Sequence, residues 1–161
     1  MRPVVVMGVS GCGKSTVGAA LAQRLEVPFA DADDLHPAWN IAKMAAGLPL
    51  DDDDRRPWLD EVGAWLVEHP DGVIACSALT RSYRDRLRNH SPGVRFLLLD
   101  GSAEVIALRQ ADRPGHFMPA SLLASQLATL EPLASDEDGL VADVALSVDA
   151  IVQAWVETAR E

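Results

Sequence analysis

Residues 8–15 read Gly-Val-Ser-Gly-Cys-Gly-Lys-Ser, a complete Gly-x-x-x-x-Gly-Lys-Ser/Thr pattern directly behind the apolar run Val4-Val5-Val6. Few short patterns constrain a fold as strongly, because this one works only between a strand and a helix. Its glycines let backbone N–H groups turn inward around phosphate oxygens. The following helix N-terminus adds a partial positive charge at the same place. Lys14 is predicted to bridge the β- and γ-phosphates of a nucleoside triphosphate, and Ser15 to ligate Mg²⁺. Gly8, Ser10, Gly11, Cys12 and Gly13 supply the backbone of the loop; at Cys12 the N–H matters, not the thiol.

The rest of the chain alternates as this opening requires. Residues 3–7 are short, continuous and β-branched, the pattern of a buried strand. Helical spacing over 14–25 puts Val17, Ala20, Leu21 and Leu25 on one face. A short strand over 28–30 ends at Asp31-Ala32-Asp33. Pro37 opens a helix that Gly47 closes, and Asp54 is the expected N-cap of the next. Further strands are expected over 72–76, 94–99 and 141–146, with helices over 82–89, 102–112, 119–130 and 149–158. Trp39, Trp58 and Trp65 read as core residues, Cys76 as a buried strand residue, and Arg84, Arg86 and Arg88 as surface charges. Residues 134–139 read as an acidic surface loop. The alternation predicts an α/β fold with a parallel sheet covered on both faces. In such sheets ligands sit beyond the C-terminal strand ends.

At 161 residues the chain is expected to form one domain. Its net charge of −10 disfavours nucleic acid as a partner. No apolar stretch approaches the roughly 20 residues of a membrane span, and the N-terminus lacks the plan of a signal peptide. Two cysteines, Cys12 and Cys76, make neither a disulfide framework nor a zinc site. The cytoplasm is the expected location. Only Lys14 and Lys43 are lysines, so an anionic substrate needs a local basic cluster inside an acidic shell. A guanine-nucleotide switch would require Asn-Lys-x-Asp, which does not occur; Asp-x-x-Gly at 60–63 and 136–139 falls in the wrong contexts.

A transfer enzyme needs a base and positive charge over the phosphoryl group. Asp31 and Asp33 stand two apart at a strand end, one placed to support Mg²⁺ and the other to accept a proton from an attacking hydroxyl. The same spacing also fits an acidic turn, since Asp34 follows. Arg109 and Arg113 share a helix face at i and i+4, just before Pro114-Gly115. That suits a mobile lid over the nucleotide, and equally a solvated helix end.

Three longer stretches go further: DADDLHPAWNIAKMAAGLPLDDDDRRPWL (31–59), CSALTRSYRDRLR (76–88) and GHFMPASLLASQLATLEP (115–132). With the phosphate loop they cover nearly the whole chain in order, and together they resemble the gluconokinase family. Leu-His-Pro-x-x-Asn-Ile-x-Lys-Met is much more specific than the loop itself. The resemblance implies a three-layer P-loop kinase fold, with a five-stranded parallel sheet, helices on both faces and a short lid over about 109–119. It implies transfer of the ATP γ-phosphoryl group to the 6-hydroxyl of D-gluconate, with a substrate segment over about 33–60. It also implies a homodimer. By position, Thr16 joins Lys14 and Ser15 in the loop, Asp33 corresponds to the catalytic base and Asp31 to the Mg²⁺-side carboxylate. His36, Lys43, Arg55, Ser77 and Arg81 fall in the gluconate region; Arg109, Arg113 and His116 fall in the lid, Arg113 with a catalytic role. Arg55 is the natural partner for the gluconate carboxylate. Thr80 and Asp51 depart from the basic residue and the asparagine common at those places in the family.

Overall fold

The computed structural model describes residues 1–111 and 120–159. Five strands form one parallel sheet: β1 (Val4–Met7), β2 (Phe29–Asp31), β3 (Val73–Ala75), β4 (Arg95–Asp100) and β5 (Gly139–Asp143), in the order β2-β3-β1-β4-β5. β1 is central and wholly buried. Its side chains alternate between two cores, Val4 and Val6 facing one and Val5 and Met7 the other. That is why β1 reads as a continuous apolar run and not as an alternating one.

Helices α1 (Lys14–Leu25) and α7 (Val148–Ala159) close the first core, through Val17, Leu21, Ile151 and Trp155. Helices α3 (Asp52–Glu68) and α4 (Arg81–His90) close the second, through Trp58, Leu59, Val62, Leu66 and Leu87. The remaining helices are α2 (Ala38–Ala45), α5 (Ala103–Ala111) and α6 (Ala120–Thr129). Leu123 of α6 and Ile106 of α5 reach the first core. No described helix is long and apolar enough to cross a membrane.

Several expectations are corrected. Asp51, not Asp54, is the N-cap of α3; Asp54 is the third helical residue, and the two exchange hydrogen bonds as a capping box. Strand β5 begins two residues earlier than expected. Gly139 pairs with Phe96, where an added Cβ would collide with the Phe96 carbonyl, and the chain turns after Asp143, whose side chain accepts from the Ala145 N–H. Trp39 is not core: it is 66% exposed.

The acidic loop and the arginines of α4 are not simply surface features. Arg84 is fully buried and binds Glu137 through two hydrogen bonds of 2.7 and 3.0 Å. Glu137 also accepts from Arg88 at 2.6 Å and from the Ala134 N–H at 2.8 Å. Burial alone would push the Glu137 carboxyl up, but these donors outweigh it and hold it at about 2. Arg86 does remain on the surface, paired with Asp60.

Candidate active site

The site lies beyond the C-terminal ends of β1, β2 and β3. β1 delivers the chain into the phosphate loop at Gly8, where φ is +149° and an added Cβ would meet Cys12 Sγ at 2.8 Å and the Leu99 carbonyl at 3.0 Å. Gly13 ends the loop at φ +97° and caps α1 without a side-chain hydrogen bond. The first N–H groups of α1 therefore have no side-chain cap at the point where an anion would sit. Lys14 lies back on the loop, its ammonium donating to the Val9 carbonyl at 3.0 Å. Ser15 Oγ donates to Asp31 Oδ2 at 2.5 Å. A hydroxyl and a carboxylate side by side at a helix N-terminus suit Mg²⁺, a hard cation that prefers oxygen ligands and retained water. Thr16 is exposed.

Asp31 also shapes the next turn. Its Oδ1 accepts the Asp33 N–H at 2.9 Å and so caps the 3₁₀ turn over 32–35 that carries Asp33. This turn is fixed from below, since Ala32 is buried and its carbonyl accepts Trp58 Nε1–H at 2.7 Å. Asp33 itself is exposed to solvent on this turn. Partial desolvation and the adjacent Asp31 raise its pKa, while Lys14 and His36 pull it down. The two aspartates are distinguished by their contacts: Asp31 is bound to Ser15 and to the Asp33 N–H, and Asp33 stands on the turn so capped.

His36 stacks on Trp58 with centroids 4.4 Å apart and planes 10° from parallel. Desolvation, opposed by Asp33 and assisted by Arg55, lowers its pKa and favours the neutral ring. Asn40, buried in α2, lies 3.2 Å from His36 Nδ1 and donates to the Asp54 carbonyl at 2.9 Å. With Asn40 as donor, the neutral imidazole carries its proton on Nε2.

Lys43 forms a 2.6 Å ion pair with Asp54, which also accepts Trp39 Nε1–H at 2.9 Å. Lys43 is thereby engaged in joining α2 to α3. Arg55 donates to Tyr83 Oη at 3.2 Å, and Tyr83 donates to Asp52 at 2.5 Å. This chain of contacts ties the expected carboxylate-binding arginine to α4. Ser77 follows β3, and its carbonyl accepts the Gly8 N–H at 3.3 Å. Arg81 is engaged elsewhere, in two hydrogen bonds of 2.8 and 2.7 Å to Asp136. Arg113, His116 and the side chain of Arg109 lie outside the described residues.

Sequence reasoning passed over Asn40, Asp54, Trp58 and Tyr83 as parts of the site. Asn40 stands inside the Leu-His-Pro-x-x-Asn segment, a signal that pointed to it. The other three act through partners distant in the chain, and no local pattern marks them.

A glycine-rich loop, an adjacent hydroxyl–carboxylate pair and a second carboxylate two residues on, set across a 2-3-1-4-5 sheet, define an ATP-dependent kinase acting on an alcohol group. The model of the shikimate kinase family matches residues 10–159. A solved shikimate kinase from Bacteroides thetaiotaomicron shares the fold, with a TM-score of 0.73 at 17% identity over 99% of each chain. More similar is the thermoresistant gluconokinase of Escherichia coli K12, 43% identical over 162 residues, or 98% of this chain and 93% of the relative. The gluconokinase of Gluconobacter oxydans 621H is 51% identical over 84% of this chain and 79% of its own. A crystal structure of a gluconokinase from Sinorhizobium meliloti 1021 superposes with a TM-score of 0.91 at 49% identity, covering 99% of this chain and 92% of the other. The chain belongs to the gluconokinase family.

Proposed function

We propose that this protein is a gluconokinase, transferring the γ-phosphoryl group of ATP to the 6-hydroxyl of D-gluconate to give 6-phospho-D-gluconate and ADP. The observation that carries the reading is the placement of Asp33 on the 3₁₀ turn that Asp31 caps, next to the Ser15–Asp31 pair at the head of the phosphate loop's helix. Phosphoryl transfer leaves little covalent work to the protein, so positioning and charge dominate. Asp33 orients the attacking hydroxyl and takes its proton as the O–P bond forms. Lys14 rests on the Val9 carbonyl through one donor of its ammonium and offers the others to the phosphate oxygens. Mg²⁺, when bound beside Ser15 and Asp31, offsets phosphate charge. Arg55, held by Tyr83, receives the gluconate carboxylate, and neutral His36 offers an N–H to a sugar hydroxyl. Ser77 lines the same end of the sheet. Lys43 and Arg81 act indirectly, by fixing α2 to α3 and α4 to the loop at Asp136. Arg109, Arg113 and His116 are assigned to the lid by the family resemblance.

The second reading, shikimate as acceptor, is favoured by the family model that matches 10–159. Shikimate also carries a carboxylate, so Arg55 alone does not separate the two. An ADP-release assay with ATP and Mg²⁺ does. D-gluconate is expected to exceed shikimate and AMP at least about 100-fold in kcat/KM, because a site built to bond several hydroxyls rejects acceptors that leave its groups unpaired. Equal values for gluconate and shikimate would transfer the assignment to the second reading.

A further inference from the structure

The peptide joining Val9 to Ser10 is held at both ends. Its carbonyl accepts the Lys14 ammonium at 3.0 Å and the Cys12 N–H at 3.3 Å. Its N–H donates to Oε1 of Gln126 at 2.6 Å, across 116 residues of sequence. A peptide unit is planar, with its N–H and C=O pointing opposite ways. Whatever fixes the N–H therefore aims the carbonyl, and here the carbonyl is where the lysine rests. We propose that Gln126 is a positioning residue for the phosphate loop, orienting the Val9–Ser10 peptide and through it Lys14.

Helix α6 is a firm base for this. Leu123, one turn before Gln126, is buried in the first core. Just beyond the helix, the Glu131 N–H donates to the Leu79 carbonyl at 2.8 Å, and its side chain accepts the Arg81 N–H at 2.8 Å. The other side of the loop is equally constrained, because Gly8 is wedged between Cys12 and Leu99. Between these points the Val9–Ser10 plane turns about soft backbone dihedrals, and Gln126 is a side chain from outside the loop that holds it. An amide is well suited here, since its oxygen accepts the N–H without placing a negative charge beside bound phosphates, as a glutamate would.

The proposal rests on the phosphotransfer reading of the loop but not on gluconate as the acceptor, so its test omits the acceptor. Binding of Mg²⁺ with a non-hydrolysable ATP analogue is measured by calorimetry for wild type, Gln126→Met and Gln126→Ala, alongside urea unfolding. Methionine keeps the length and apolar volume and removes the acceptor; alanine serves if methionine does not fold. Affinity is expected to fall about three- to tenfold, the range of one net hydrogen bond. In steady-state assays, KM for ATP is expected to rise while KM for gluconate stays within about twofold of wild type, a split that a purely structural role would not produce. Analogue affinity within about twofold of wild type, whatever the unfolding midpoint does, would overturn the proposal. So would a parallel rise in both KM values. If gluconate were not the substrate, the calorimetric result would stand unchanged.

Discussion

The two halves of the site are built on different principles. On the nucleotide side the loop over 8–15 works through backbone geometry: glycines at positive φ, an uncapped helix N-terminus and one lysine resting on a carbonyl. On the side proposed for the acceptor the polar side chains are arranged by one another. Lys43 is paired with Asp54, Arg55 is tethered to Tyr83, and His36 is stacked on Trp58 and held by Asn40. A backbone site needs a few residue types at fixed spacing. A side-chain site needs partners from α2, α3 and α4 at once. Damage should therefore be sharp on the nucleotide side and graded on the acceptor side.

The largest expected effect tests the sharp side. Lys14→Ala should lower kcat/KM for ATP by about 10³-fold, because in the proposed role the ammonium touches phosphate in both the ground and transition states. A secondary effect tests the contact between the two halves. Lys14 lowers the Asp33 pKa, so its removal should move the acid limb of the pH–rate profile upward. A limb that stays in place would show that Asp33 does not govern it.

Asp33→Asn comes next, with an expected loss on the order of 10²-fold in kcat and little change in ATP affinity. In wild type the acid limb should lie above pH 3.8, the ordinary value from which Asp33 is raised. The limb should be absent from the variant. Retention of more than half the wild-type kcat would remove Asp33 from the role of base.

This contrast also explains how much of the molecule is legible in the sequence. The phosphate loop, the burial of β1, the course of α1 and the pairing of Asp31 with Asp33 are local properties, written at fixed spacings. The stretch over 134–139 is an acidic surface loop as expected except at Glu137, whose burial is explained by Arg84 and Arg88, about 50 residues earlier. Trp39 misleads because its indole N–H has a partner in Asp54, on the next helix, which lets it stay largely exposed. Asp54 reads as the cap of α3 because four consecutive aspartates offer several caps, and only the reciprocal bond with Asp51 selects the true one. The misses at Glu137 and Trp39 involve partners that sequence spacing does not reveal, whereas the Asp51–Asp54 box is local and is obscured by the neighbouring aspartates.

The graded side is tested by Arg55 and its support. Arg55→Met should raise KM for gluconate about tenfold or more, the scale of a lost hydrogen bond to a charged group. Tyr83→Phe keeps the ring against Arg55 and removes only the hydroxyl, so a rise of about three- to tenfold is expected. KM for ATP should be unaffected by either. A neutral polyol lacking the carboxylate should show no difference between wild type and Arg55→Met; if it does, Arg55 does not bind that group.

The smallest effect on catalysis, and a distinct one on stability, belongs to the buried pair remote from the chemistry. Folding lowers the Glu137 carboxyl from 4.5 to about 2, against the direction that burial alone would impose. A carboxyl depressed in the folded state contributes stability that is complete above its unfolded pKa and is lost as pH falls through its folded pKa. Wild-type stability should thus decline as pH falls from about 4.5 to about 2. Glu137→Gln cannot titrate, and it leaves the Arg84 guanidinium buried without its counter-charge, a strongly destabilising change. The variant should be less stable than wild type at pH 7 and flatter over the acid range, so that the two unfolding midpoints converge toward about pH 2. Where it remains folded, KM for ATP should match wild type. Parallel stability curves across that whole range would show that the Glu137 charge contributes nothing. A raised KM for ATP at pH 7 would show instead that the pair shapes the nucleotide side, and the division between the two halves would fail there.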